Sequence, residues 1–341
     1  MSSEENTTVE ELMEEGFSAL RGGFYGEAAR VGRELLERQH SSGFEILALA
    51  LGEEDELEEA LAVLEEGVEK APDVWLLWQL MGNYRSDLED FSGALEAYDH
   101  ALFCDGVDKD SVYFNIATVL SRQEQFEEAV SYLELVQEAD HRLRADAMRA
   151  ELYRELNREV EAMELARLTL ERVDERVTTL DEEEVDASHF SVICARLGLF
   201  FLDGEDALTA QACWERTWIL DHTDEDALTL GRRLDPQTSP DAKYYHVVVE
   251  GNFGSDVEEP ELQNLGFFVT YGIVAAPEDD VMTWVRFFEP EAVHDSLNLV
   301  ECEPGDDCPD ELLGVYSITG YATFSREDED RMVEDEEDQN D

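Results

Sequence analysis

Apolar residues recur through residues 9–234 at i, i+3, i+4 and i+7, and the same arrangement returns after a near-constant interval. An alanine marks it, at Ala28, Ala60, Ala94, Ala129 and Ala162, in steps of 32, 34, 35 and 33 residues. Each interval predicts two amphipathic helices. One pair runs through Phe44, Leu47, Ala48 and Leu51, then Leu57, Ala60, Leu64 and Val68, closing on Pro72. The next has Trp78, Met81 and Gly82, then Phe91, Ala94, Tyr98, Ala101 and Leu102. A third has Tyr113, Ile116, Ala117 and Leu120, then Phe126, Ala129, Leu133 and Val136. Gly82, Ala94, Ala117 and Ala129 fall where two helix axes must approach closely. A period near ~34 is that of a two-helix unit which buries its apolar face only by stacking on copies of itself.

The period then changes. Residues 235–243 (DPQTSPDAK) carry two prolines and no periodicity, which predicts a linker. Beyond it Tyr245, Val247 and Val249 alternate with Tyr244, His246, Val248 and Glu250, and Phe267, Val269, Tyr271 and Ile273 form a second alternating set. Pro277 followed by Glu278, Asp279 and Asp280 suits a helix start, and Val281, Trp284, Val285 and Phe288 share one helical face. Further strands are expected at 297–301 and 315–324. The order β-β-α-β-β over residues 244–325 predicts a small α+β domain with its helix on one face of an antiparallel sheet. Residues 326–341 are acidic with almost no apolar content and read as a disordered tail; residues 1–8 read as a flexible N-terminus. An acidic insertion near 174–187 interrupts the helical part.

Composition changes the picture in one respect. The chain has 85 Asp plus Glu against 24 Lys plus Arg, a formal charge of −61 over 341 residues, and its lysines are Lys70, Lys109 and Lys243. Disorder is one source of such charge, but 43% hydrophobic residues in repeat register is a folding composition. Adaptation to molar salt accounts for both: at ~1 M the Debye length is about 3 Å, so neighbouring carboxylates are screened, and acidic surface keeps the chain hydrated. This composition is similar to that of cytoplasmic proteins of salt-in halophiles such as haloarchaea. It argues against nucleic acid and anionic membrane surfaces as partners. No apolar run has transmembrane length, no signal peptide is evident, and five cysteines fit a reducing interior. A cytoplasmic monomer is expected.

The pattern of aromatic, Leu and Gly/Ala on one helix, then aromatic, Ala, aromatic, Ala and a closing Pro, resembles the tetratricopeptide repeat. Six copies start near Val9, Ser41, Trp75, Asp110, Leu143 and Ser191, and a last helix from about Asp224 to Leu234 would cap them. The first copy has Gly32 in place of an aromatic, and the fifth has Asp146 where an aromatic opens the helix. The resemblance implies an all-α helical-repeat solenoid over 9–234, with the first helix of each pair lining a groove that takes a peptide or helix.

Carried over residue by residue, it places Gln79, Asn83, Asn115 and Arg144 in that groove, an arrangement similar to the two-carboxylate clamp of some family members. The match is broken by Gln79 in place of a Lys and by Met148, beside Arg149, in place of an Arg. Arg122 and Arg154 are added as contacts, with Phe114 as apolar floor. Arg142, Arg144, Arg149, Arg154 and Arg158 also form a basic cluster, read either as ordinary i, i+4 pairing with acids such as Asp146, Glu151 and Glu155 or as a dock for an acidic partner; pairing is the favoured reading. Cys302 and Cys308, with His246 and His294, do not match zinc-site spacing, and Cys194 and Cys213 sit at core positions. His189 reads as a solvated turn residue. The sequence has no G-x-S-x-G elbow, P-loop or dinucleotide fingerprint, so neither an enzyme nor a cofactor is expected. The expected function is a non-enzymatic adaptor or scaffold holding a protein or peptide partner. The alternatives are a ligand- or metal-dependent C-terminal module targeted by the repeats, and a structural homo-oligomer.

Overall fold

In the computed structural model, described here for residues 7–179, 186–254, 263, 265–276, 280–305 and 312–324, helices come in consecutive pairs. They are α1 (Val9–Arg21), α2 (Tyr25–Glu37), α3 (Ser42–Glu53), α4 (Leu57–Lys70), α5 (Trp75–Asp87), α6 (Phe91–Phe103), α7 (Lys109–Arg122), α8 (Phe126–Leu133), α9 (Ala139–Glu155), α10 (Glu159–Thr179), α11 (Ala187–Asp203), α12 (Ala207–Leu220) and α13 (Glu225–Leu234). Acidic residues start many of them. Asp90, Asp108, Glu138, Asp186, Asp206 and Asp224 each accept a hydrogen bond from a backbone N–H of the first turn, which satisfies an orphan donor and complements the dipole. Part of the chain's acid content thus holds helix ends.

The chain divides into two compact units, Met1–Thr169 and Leu170–Asp341. In the first, each helix from α1 to α8 packs on the next, and the first helices of successive pairs also touch one another, α1 on α3, α3 on α5, α5 on α7 and α7 on α9. The marker alanines Ala28, Ala60, Ala94, Ala129 and Ala162 are all fully buried, as the repeat requires. Gly32 has a physical reason. A Cβ there would lie 2.9 Å from the Leu47 nitrogen, and one on Gly43 would lie 2.6 Å from the Gly32 oxygen. The backbones of α2 and α3 pass in contact, and an aromatic at 32 would not fit.

The turns inside the pairs repeat as faithfully as the alanines. Gly23, Asp55, Glu89, Glu124, Asn157 and Glu205 each follow the first helix of a pair, and each has φ between 58° and 73°. Only the first is glycine, and a left-handed conformation costs an L-residue roughly 1–2 kcal/mol. Glu124, exposed in such a turn with φ 60°, is a place to recover part of that cost. Glu124→Gly is expected to stabilise the fold by about 0.5–1 kcal/mol, read as a higher urea midpoint at fixed salt; a lower midpoint would show that the glutamate side chain contributes more than its backbone costs.

In the second unit the sheet is antiparallel. Its strands are β1 (Lys243–Asn252), β2 (Gly266–Ala275), β3 (Asn298–Pro304), β4 (Gly314–Ile318) and β5 (Ala322–Phe324), in the order β3-β1-β2-β4 with β5 also on β2. The helix α14 (Val281–Phe288) covers it. The strand expected at 315–324 is two short ones, broken where Thr319 bonds Thr270, backbone N–H to carbonyl at 2.9 Å and hydroxyl accepting at 2.9 Å. Val247, Val249, Phe267, Val269, Tyr271, Ile273, Val281 and Val285 form the core, and Leu228 from α13 belongs to the same cluster. One carboxylate is buried beside it. Glu289 is 4% exposed, accepts from Tyr271 and, at 3.0 Å, from Tyr321, and burial raises its pKa.

The unit boundary falls inside α10, not at 235–243. That segment is tied at both sides of Pro236: Leu313 donates to the Gln237 carbonyl at 2.8 Å, Thr238 bridges Leu312, and Arg232 of α13 donates to the Val315 carbonyl. The last repeat helices and the sheet are one body. The expected helix start at 277–279, the tail 326–341, Cys308 and most of the insertion's acidic run (180–185) lie outside the described residues.

Candidate binding face on the first helices

The row of first helices in the first unit carries most of the predicted contact residues, and hydrogen bonds join them. Tyr98, 2% exposed, donates to Asn83 Oδ1 at 2.8 Å, and Asn115 Nδ2 donates to the same oxygen at 3.1 Å. A Cβ on Gly82 would lie 2.3 Å from the Tyr98 ring, so the glycine of this copy is what lets the tyrosine reach Asn83. Burial of Tyr98 pushes its phenol well above the usual range, keeping it a donor. With Asn83 Oδ1 doubly occupied, its Nδ2 and Asn115 Oδ1 make no hydrogen bond among the described residues. One donor and one acceptor therefore stand side by side on neighbouring helices, held in place from beneath.

Phe114 follows directly. The Arg144 guanidinium lies 4.2 Å from its ring centroid, a cation–π contact that leaves the arginine exposed. Arg122 donates to the Ser86 carbonyl at 2.8 Å and hydroxyl at 3.0 Å, lies 4.9 Å over the Phe91 ring, and has Asp87 at 4.0 Å. Gln79 is one turn ahead of Asn83, and its Oε1 is shielded from solvent with no donor to it among the described residues. Arg154 stands near the far end of α9, 3.5 Å from Glu159. Sequence reasoning did not select Glu45 of α3, half-buried on the same row, whose carboxyl burial raises; a lone acid in a run of apolar residues was the available signal.

The basic cluster resolves largely into pairing. Asp146 is 1% exposed and meets Arg142 at 3.1 Å and Arg149 at 2.7 Å. Arg149, itself 9% exposed, also reaches Glu134 at 2.9 Å and the Tyr153 hydroxyl at 3.0 Å. Burial alone would lower the Arg149 pKa, but the bonds to Asp146 and Tyr153 raise it. Arg149 is thus committed inside the repeats, and with Met148 buried the fifth position of a two-carboxylate clamp has no arginine. Arg158 pairs with Glu161 and lies 4.1 Å over Tyr153. The missing aromatic of the fifth copy is replaced by a buried ion pair.

Other candidates fall into place elsewhere. Cys194 and Cys213 are fully buried, and burial pushes both thiols up to about 12. His189 is not a solvated turn residue but sits half-buried in the first turn of α11, edge-on to Phe190 at 5.4 Å. Cys302 lies opposite Val247 in the β3–β1 pairing, and among the described residues no three His, Cys, Asp or Glu side chains are grouped as a metal would require. Among the same residues no helix is long and apolar enough to cross a membrane.

Comparison with known proteins gives one family match and a set of distant structural likenesses. The family model described as tetratricopeptide repeat matches residues 110–140, the fourth helix pair. No curated protein matches the chain. Among solved structures, the hetero-tetramer Cut9–Hcn1 is similar at TM-score 0.49 and 12% identity, over 67% of this chain and 43% of that one. Pseudomonas aeruginosa PilF is similar at 0.45 and 16%, over 65% and 96%. YrrB, titled a repeat protein with an unusual peptide-binding site, is similar at 0.36 and 19%, over 59% and 96%. At these identities and scores the likenesses carry no functional argument. The matched pair at 110–140 is a tetratricopeptide repeat, and it is one of a series of helix pairs built on the same buried alanine and the same left-handed turn.

Proposed function

We propose that the chain is a non-enzymatic adaptor of a high-salt cytoplasm, holding an extended peptide or helix of a partner protein along its first helices. The observation that carries this reading is the Asn83–Asn115 pair. Its free donor and acceptor match the carbonyl and N–H of a peptide unit, and Tyr98 fixes their orientation in advance, so little ordering remains for binding. The shielded Gln79 Oε1 offers an acceptor for a second peptide N–H one turn away. Phe114 gives the apolar contact, and Arg144 and Arg122, both parked on aromatic rings, give cations suited to an acidic partner. Stacked repeats present extended surfaces of this kind.

Asn83→Ala combined with Arg144→Glu is expected to reduce partner capture by at least ten-fold in molar KCl, with the melting temperature within a few degrees of the parent. The check is a pull-down from a haloarchaeal extract, followed by titration of the captured protein. Undiminished capture by the double variant would remove this face as the site, and capture by residues 170–341 alone would move the function to the second unit.

A further inference from the structure

The second unit contains a cavity of about 400 Å³ walled by α12, α13, α14 and the start of β4. We propose that it is a binding site for a free, neutral, planar aromatic small molecule and not a socket for a partner protein's side chain. This goes beyond the adaptor reading and does not rest on it. The size is within the range of small-molecule sites, about 300–1,000 Å³. The wall is a sheet of rings. Trp218 lies 5.4 Å from Trp214, 5.2 Å from Phe287 and 5.4 Å from Phe288, centroid to centroid, and stacks on His222 at 4.6 Å. Trp284 also lines the cavity.

Rings gathered only for core packing would be covered. Here Phe287 is 52% exposed, and Trp214, Trp218 and Trp284 are only partly buried. Their indole N–H groups also make no hydrogen bond among the described residues, in contrast to Trp78, whose Nε1 donates to the Pro72 carbonyl at 2.9 Å. A ring wall with unused donors suits a flat ligand stacked at about 4.5–7 Å with acceptors on its edge. Gln211, Gln237 and Asp235 at the lining add polar groups, Gln237 Nε2 already donating to Asp235 at 3.1 Å.

The lining favours neither charge. Its cation, Arg232, lies 3.7 Å over the Tyr316 ring and donates to the Val315 carbonyl and to Thr229 Oγ1 at 2.9 Å, so it is already engaged. Its anion is Asp235. A net −61 on the chain further disfavours anionic ligands. The walls are also fixed before any ligand arrives. A Cβ on Gly231 would lie 2.6 Å from Trp214 Nε1, so this glycine lets the indole lie flat on α13. Gly314 takes φ 143°, where a Cβ would meet the Arg232 stem at 2.9 Å.

The test is calorimetric titration of the full chain in molar KCl with adenosine and benzamide as neutral rings of two sizes. Adenosine monophosphate, tetramethylammonium and N-acetyltryptophanamide are the contrasts. Saturable binding of at least one neutral ring is expected, with the monophosphate at least ten-fold weaker than adenosine where adenosine binds. Trp284→Leu or Phe287→Ala should weaken the neutral ring by at least ten-fold; if Trp284→Leu does not fold, Phe287→Ala, at a half-exposed site, decides. No saturable binding of either neutral ring overturns the proposal, as does unchanged affinity in Phe287→Ala. Tighter binding of tetramethylammonium would make the cavity a cation site, and binding of N-acetyltryptophanamide alone would make it a socket for a partner's side chain. Either result overturns it.

Discussion

Dialysis from molar KCl into roughly 10 mM salt is expected to unfold most of the helical structure, and restoring the salt to bring it back. The Debye length lengthens from about 3 Å at 1 M to about 30 Å at 0.01 M, so the −61 charge acts across whole helix pairs instead of being screened at the first neighbour. Exposed acids such as Glu10 and Glu14, or Glu65 and Glu69, stand one helical turn apart, and each such pair opposes its helix by about 0.2–0.5 kcal/mol when unscreened. Ten of them already amount to a few kcal/mol, against total stabilities of about 5–15 kcal/mol. Few cations are left to compensate. Arg30 is shared among Glu15 at 2.5 Å, Glu34 at 3.5 Å and Glu27 at 3.6 Å, and Arg38 takes Glu34 at 2.5 Å. Far-UV circular dichroism through the dialysis is the measurement. Unchanged ellipticity and melting temperature at low salt would show that the acids are compensated within the fold. Recovery with sucrose as complete as with KCl would show that apolar burial, not screening, is what molar salt supplies.

The repeat was legible because stacking imposes a small residue at one place per pair, and Ala28, Ala60, Ala94, Ala129 and Ala162 announce it directly. The left-handed turns have the same period but were hidden, because Asp55, Glu89, Glu124, Asn157 and Glu205 stand where a glycine would have signalled them. In a chain so rich in acids an acidic turn residue is invisible against its background. The strands and α14 followed from alternation and from one apolar helical face. What pattern alone misjudged was the join: two prolines and no periodicity resemble a free linker, yet backbone pairing of Gln237 and Thr238 with residues 312–313 involves no side-chain signal. The ring-walled cavity was equally unreadable, because Trp214 and Trp218 of α12 and Trp284 of α14 are separated by α13 and the first two strands and line one cavity only once the sheet docks on α13. For the candidate binding face, the residue types were readable, but the feature that gives it chemistry was not. The Tyr98 hydroxyl joins a second helix to Asn83 on a first helix, and spacing along one helix face carries no such information.

Asp146→Ala is expected to destabilise the first unit by about 3–5 kcal/mol, the effect of removing one partner of a buried charge pair. Asp146 is 1% exposed and holds two arginines, Arg142 at 3.1 Å and Arg149 at 2.7 Å. The loss falls unequally on them. Arg142 is 35% exposed at its side chain and also donates to the Val136 carbonyl at 2.9 Å, so water and backbone can take over. Arg149 is 11% exposed at its side chain, and its Nε already lacks a partner among the described residues. Without Asp146 it keeps the half-exposed Glu134 carboxylate and the neutral Tyr153 hydroxyl, which leaves most of a desolvated cation uncompensated. Glu134 is a weak substitute because solvent screens it. Asp146→Leu combined with Arg149→Met, which removes both charges and fills the space, is expected to recover most of the loss, since an apolar replacement of a whole buried pair is often neutral or stabilising. Urea titrations of the three proteins at constant molar KCl measure this. A loss below about 1 kcal/mol for Asp146→Ala would mean that Arg149 finds water on its own, placing the pair at a breathing interface between α8 and α9 and not in the core. A double variant as unstable as the single would mean that the ion pair does more than neutralise itself, and that it selects the register in which the fifth helix pair stacks on the fourth.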